Sequence, residues 1–177
     1  MIVSADIERV FNNGLGSRYN TVLRGGAGEP FYCAPDEWGG AATIWYRADY
    51  IRSALHELAH WCVAGRARRR QDDYGYWYEP DGRSGDQQQR FFDVEAHPQS
   101  LERLFCEALG TPFDVSVDNL NGACDEAEIH AFRKVVAQTS KSLIAHGLPQ
   151  RTATLLEALK KLGEAIPAVS CDGCKHL

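Results

Sequence analysis

No stretch of this 177-residue chain approaches the ~18 consecutive apolar residues of a membrane-crossing helix, so none is expected. No secretory leader is expected either. The opening, MIVSADIERVFNN, places Asp6 and Glu8 in its first turns and has neither a basic start nor a long apolar core. There is no excess of positive charge. Lys and Arg number 19 against 24 Asp and Glu, the net charge is −5 and the pI about 5.7, which argues against direct nucleic-acid binding. Cysteine is present without a metal-binding pattern: six residues, at 33, 62, 106, 124, 171 and 174, include one CxxC pair and no second. That pair, Cys171 and Cys174 with His176 beside it, does not make a zinc ribbon, and residues 167–177 read as a loose tail. With no export signal, reduced thiols in the cytoplasm are expected. No repeat or linker interrupts the remainder, so residues 1–166 read as one domain, long enough to bury a core.

What the sequence does contain is ALHELAHWCVAG, residues 54–65. On a helix, His56 and His60 stand four positions apart, about 40° around the axis and roughly 6 Å along it, so both imidazoles leave one face and can close on one metal ion. The surrounding Ala54, Leu55, Leu58, Ala59, Trp61, Cys62 and Ala64 leave few positions for solvent. Three ionisable groups on so apolar a helix are costly unless paired or metal-bound. Around this helix, expected from about residue 48 to 64, the chain reads as α+β, mainly helical with a small antiparallel sheet. Residues 4–11 suggest an amphipathic helix capped by Ser4 and ended by residues 12–16. Residues 21–23, 30–33 and 43–46 are short β-like runs. YGYWY, residues 74–78, has strand character, with a turn at Pro80, Asp81 and Gly82. Residues 84–95 and 98–109 suggest two helices, or one broken at Pro98. Long helices are expected at 125–146 and 149–162.

A catalytic metal site needs a third protein ligand and open positions. Glu95, in FFDVEAHP, is the preferred candidate, with Asp93 and His97 as rivals; Pro98 is expected to draw His97 out of the helix. Two chemistries remain open on these ligands. In a zinc peptidase, Glu57 is the general base for metal-bound water. In a non-haem iron oxygenase, two histidines and a carboxylate take one face of Fe(II) and leave the other for O₂ and substrate. A third reading is a non-enzymatic binding module stabilised by zinc. Cys62, on a different helix face from His60, weighs against such a closed site.

The longer motifs separate these readings. HELAHWCVAGRARR, then YGYWYEPDGR, then FFDVEAHPQSLERLFCEALGTPFDVSVDNLNG, resemble the bacterial elongation factor P hydroxylases, strongly over residues 54–122 and more loosely to 151. The resemblance implies an iron-dependent enzyme that uses O₂ to hydroxylate the modified lysine of elongation factor P, with a fold closer to HExxH metalloproteins than to jelly-roll oxygenases. It implies His56, His60 and Glu95 as metal positions and Glu57 as the acid/base or supporting group. The CxxC tail departs from the pattern. On this reading the enzyme is a cytoplasmic monomer. Tyr76, Trp77 and Tyr78 line the cleft, and Asp81, Arg83, Asp118 and Asn119 orient the lysine appendage. Arg66, Arg68, Arg69 and Arg70 form a basic rim for an acidic partner.

Overall fold

The order of the strands in space differs from their order along the chain, and this difference seats the HExxH helix. In the computed structural model, residues 2–48, 50–75, 83–117 and 125–165 are described. Strand β1 (Thr21–Ala27) lies beside β3 (Ala42–Arg47), and β2 (Phe31–Cys33) takes the far edge, giving the order β1-β3-β2. The β1–β3 pairing is parallel, Thr21 opposite Ala42 and Leu23 opposite Ile44, whereas β2–β3 is antiparallel. The expected antiparallel sheet is therefore mixed. Alternation holds on β3: Ala42, Ile44 and Tyr46 are buried, joined from the neighbours by Leu23 and Tyr32.

Helix α1 (Ser4–Phe11) buries Ile7 and Phe11 in the same core. Its N-cap is Val3 rather than Ser4: the Asp6 carboxylate accepts the Val3 amide at 3.1 Å. The segment expected to end it, Asn12–Gly16, continues as a π-helical turn that buries Leu15. Glu8 ties α1 to the sheet, its Oε1 accepting from the Gly25 amide at 2.8 Å and the Tyr46 hydroxyl at 2.7 Å. At Gly25 a Cβ would stand 2.6 Å from the Ala48 carbonyl and 2.7 Å from the Tyr46 ring. Gly25→Ala is expected to cost about 1–3 kcal/mol through this clash, read as a lowered midpoint in thermal unfolding; an unchanged midpoint would show that the backbone there yields freely.

Helix α2 (Ile51–Val63) starts later than the sequence suggests and is enclosed on nearly all sides, with Ala54, Leu55, Leu58, Ala59 and Trp61 fully buried. Trp61 meets Phe11 edge-on at 5.1 Å and Tyr19 at 5.4 Å. Its C-terminal carbonyls are orphaned by the geometry of a helix end. Arg151 donates to the carbonyls of Cys62 (2.6 Å) and Ala64 (2.7 Å), and Arg69 also donates to Ala64. Two short 3₁₀ turns follow, Arg68–Arg70 and Asp72–Gly75. Tyr74, expected to open a strand, instead has φ of 59° and stacks on Tyr32 at 4.2 Å. A left-handed backbone is strained for so large a residue. The Asp73 carboxylate supports it by accepting from the Tyr32 amide at 2.9 Å.

Helix α3 (Gly85–Leu109) is one continuous element with Pro98 and His97 inside it, not two helices and not broken at the proline. It packs on α2 with one face and on α4 (Glu126–His146) with another. That tertiary burial outweighs the single backbone hydrogen bond a proline removes. Gly110, with φ of 65°, ends α3, and the Thr111 amide returns to the Cys106 carbonyl at 2.9 Å. Asp125 caps α4 reciprocally with Glu128. Helix α5 (Gln150–Ala165) closes the core with Leu155, Leu156, Leu159 and Leu162. Among the described residues no helix is long and apolar enough to cross a membrane.

Candidate metal centre

Within the apolar α2–α3 contact, two polar stripes face each other. On α2, Arg52, His56 and His60 repeat every four residues. On α3, Glu95, Gln99 and Glu102 follow at i, i+4 and i+7, hence on one face. Glu95 is 2%, Gln99 0% and Glu102 1% exposed, a degree of burial carboxylates tolerate only when well partnered.

The partners converge. His56 Nε2 and His60 Nε2 are 3.0 Å apart, His60 Nε2 is 3.3 Å from Glu95 Oε1, and His56 Nε2 is 3.6 Å from Glu95 Oε2. A divalent ion bound at about 2.0–2.2 Å holds neighbouring donors roughly 3.0–3.5 Å apart, so the three side chains fit around one ion with little adjustment. His56, His60 and Glu95 form a three-residue cluster of possible metal ligands among the described residues, their donor atoms all within 4.8 Å of one another. Of the rival third ligands, Asp93 is exposed and accepts from Gln89, and His97 is exposed on the same helix.

The tautomer of His56 follows from its other contact. Its Nδ1 lies 2.9 Å from Glu102 Oε2. An ionised carboxylate only accepts, so Nδ1 carries a proton whether the ring is charged or neutral, and Nε2 is the nitrogen left to bind a metal. This carboxylate–histidine arrangement is the usual support of a metal-bound imidazole. The other oxygen of Glu102 accepts from Arg52 through Nη2 at 2.9 Å and Nε at 3.2 Å. Electrostatics follow the same contacts. Burial opposes charge on His56, but the bond to Glu102 and the charge of Glu95 outweigh it and raise its pKa to about 10. Burial likewise opposes charge on Glu95, and His60 and His56 overcome it, holding that carboxyl down to about 2. Glu57 is half-buried, and burial pushes its pKa up despite both histidines.

The family follows from the whole chain. A model of the elongation factor P hydroxylases matches residues 10–169. This chain belongs to the elongation factor P hydroxylase family. A relative in Haemophilus influenzae, named elongation factor P lysine hydroxylase, is 42% identical over 154 residues, 87% of this chain and 85% of the relative. As a member of the elongation factor P hydroxylase family, the chain carries both polar stripes, from Arg52 to Glu102, inside the matched region.

The remaining expectations divide. Tyr76, Trp77, Tyr78, Asp81, Asp118, Asn119 and the Cys171, Cys174 and His176 tail lie outside the described residues. Arg83 is buried, donates to Gln88 Oε1 and the Val117 carbonyl at 3.1 Å each, and lies 4.1 Å over the Phe91 ring. In this arrangement it holds the start of α3. The four arginines differ in exposure. Arg69 is half-buried over the Tyr19 and Trp61 rings, whereas Arg66, Arg68 and Arg70 are exposed, Arg68 also donating to the Tyr74 carbonyl. Asp72, a conceivable partner for them, accepts the Ala34 amide at 2.8 Å. Glu102, Arg52 and Gln99 were absent from the sequence reading. Their signal was positional: Arg52 stands four before His56, and Glu102 seven after Glu95.

Proposed function

We propose that this protein hydroxylates a lysine side chain of elongation factor P, with Fe(II) held by His56, His60 and Glu95 and with O₂ as oxidant. The observation that carries the metal reading is the convergence of three donors whose one solvent-facing member, His56, is oriented by Glu102. Fe(II), when bound, supplies the electron transfer that makes O₂ reactive. In the overall balance one oxygen atom enters a C–H bond and the other leaves as water, which requires two electrons from an external reductant and two protons. The protein's residues do the rest. Glu102 keeps the proton of His56 on Nδ1, so Nε2 remains a donor. Gln99 donates to Glu95 Oε2 at 3.3 Å and fixes the rotation of that carboxylate. Glu57, with its pKa raised by burial, is the group suited to exchange a proton beside the site. Family membership favours hydroxylation over the peptidase reading of the same ligands, and over a zinc-stabilised binding module. We place the enzyme in the cytoplasm as a monomer, with Arg66, Arg68 and Arg70 as the exposed part of a basic rim for an acidic partner.

Incubation with Fe(II), O₂, a reductant and lysine-modified elongation factor P is expected to add one oxygen atom to the substrate, read by intact-protein mass spectrometry, and to add none under nitrogen. Cleavage of a peptide bond instead would overturn the reading. Glu57→Gln is expected to keep the metal and slow turnover about 10²-fold or more; loss of metal in that variant would make Glu57 a ligand rather than a proton carrier.

A further inference from the structure

Both carboxylates of the centre are tied to one short piece of backbone. Residues 111–117, between α3 and α4, form no regular element, yet their main chain is held at two points by the polar stripes. Gln99 pairs with Ser116 as a strand would: its Oε1 accepts the Ser116 amide at 2.9 Å, and its Nε2 donates to the Ser116 carbonyl at 2.8 Å. The backbone thereby fixes which way the side-chain amide points, because an N–H must face an oxygen. The second N–H of the same group reaches Glu95. Two residues earlier, Arg52 donates to the Asp114 carbonyl and stands 5.3 Å over the Phe113 ring while its other bonds hold Glu102, which in turn holds His56. The segment is anchored outward as well. Phe113, Val115 and Val117 pack on Phe92, Phe132 and Val136, and the Asp114 carboxylate accepts two bonds from Arg133 on α4, at 2.8 and 2.9 Å.

We propose that Arg52 and Gln99 are positioning residues through which segment 111–117 sets the metal affinity of the site: Gln99 aligns Glu95, and Arg52 with Glu102 aligns His56. The inference rests on the metal reading given above. A ligand whose support is removed must be reordered by the ion itself, and loss of such outer support weakens metal binding about 10–100-fold. Coupling of this kind is reciprocal, so the ion must steady the segment by the same factor as the segment steadies the ion.

The probe is Co(II) under argon, with its dissociation constant measured by chelator competition and its visible bands recorded. Gln99→Met and Arg52→Met are each expected to bind Co(II) about 10–100-fold more weakly than the parent with shifted bands, measured below the unfolding transition of each metal-free variant, since Arg52→Met also leaves the buried Glu102 with one partner fewer. Arg52→Lys, which keeps the charge and loses the two-pronged bond, is expected to fall between. Hydrogen exchange on the unaltered protein tests the reciprocal arm without a variant: Co(II) is expected to slow exchange of the Ser116 amide beyond any change in the amides of β1. Variants that bind Co(II) as tightly as the parent with the same bands, or a Ser116 amide indifferent to the metal, would overturn the proposal. A parent protein that binds no Co(II) would remove the metal reading beneath it.

Discussion

Glu95→Ala is expected to abolish metal binding at concentrations where the parent is saturated. Removing supporting groups costs about 10–100-fold, and removing a direct donor should exceed that range. The effect has two sources. Three donors become two, and the charge that balances the cation is lost from a position only 2% exposed, where water is poorly placed to replace it. The same change leaves His56 and His60 with their Nε2 atoms 3.0 Å apart and no carboxylate beside them. In the metal-free state His56 then keeps Glu102 as its hydrogen-bonded acidic partner, with Glu57 as a further acidic neighbour. Metal content after dialysis against trace Fe(II), measured by atomic emission, checks the prediction, and a variant that retains one equivalent would eliminate Glu95 as a ligand. His56→Ala and His60→Ala are expected to behave in the same way.

The largest effect on folding is expected at Trp61. Its side chain is fully buried, lies edge-on to Phe11 and Tyr19, and is covered by Arg151 with the guanidinium carbon 4.6 Å from the ring centre. Trp61→Ala opens a cavity and removes this stack, at about 3–5 kcal/mol, against total stabilities of about 5–15 kcal/mol for domains in general. Chemical denaturation of metal-free protein measures it. Trp61→Phe separates two contributions. Among the described residues the indole N–H meets no acceptor, so phenylalanine loses ring area but no hydrogen bond, and its cost should be well below that of alanine. Equal costs for the two variants would mean that the N–H is bonded after all.

The parts of the molecule legible in its sequence are those where local pattern and tertiary need coincide. HExxH was readable because the spacing that gathers two imidazoles is also the spacing of a helix face, and its apolar flanks announced burial. Glu95 was readable from the same kind of context. Glu102 was not, because a carboxylate in QSLERLF looks like the wet side of an amphipathic helix; only the position of α2 turns that side inward. Arg52 was hidden for the same reason. Pro98 misled because its local rule, the loss of one helical bond, is weaker than burial of α3 on two sides. The parallel β1–β3 pairing was also hidden. Three short runs in succession suggest hairpins, and the strand that intervenes in sequence lies at the edge in space. Arg69 shows the limit of charge counting, since a basic cluster read as one rim contains a residue committed to the end of α2.

Arg151, which completes that helix end, has a consequence for the chain while it is being made. It reaches the Cys62 carbonyl across 89 positions of sequence. At roughly 5–20 residues per second of synthesis, about 4–18 s pass between the appearance of the two. Within that interval, once Glu102 has been made, the histidines and both carboxylates of the centre exist as polymer, whereas the last turn of α2 has neither its arginine nor the cover of α5. The ribosome therefore releases the metal-binding part before the part that seals it, and in a newborn chain Trp61 waits for a partner made well after it.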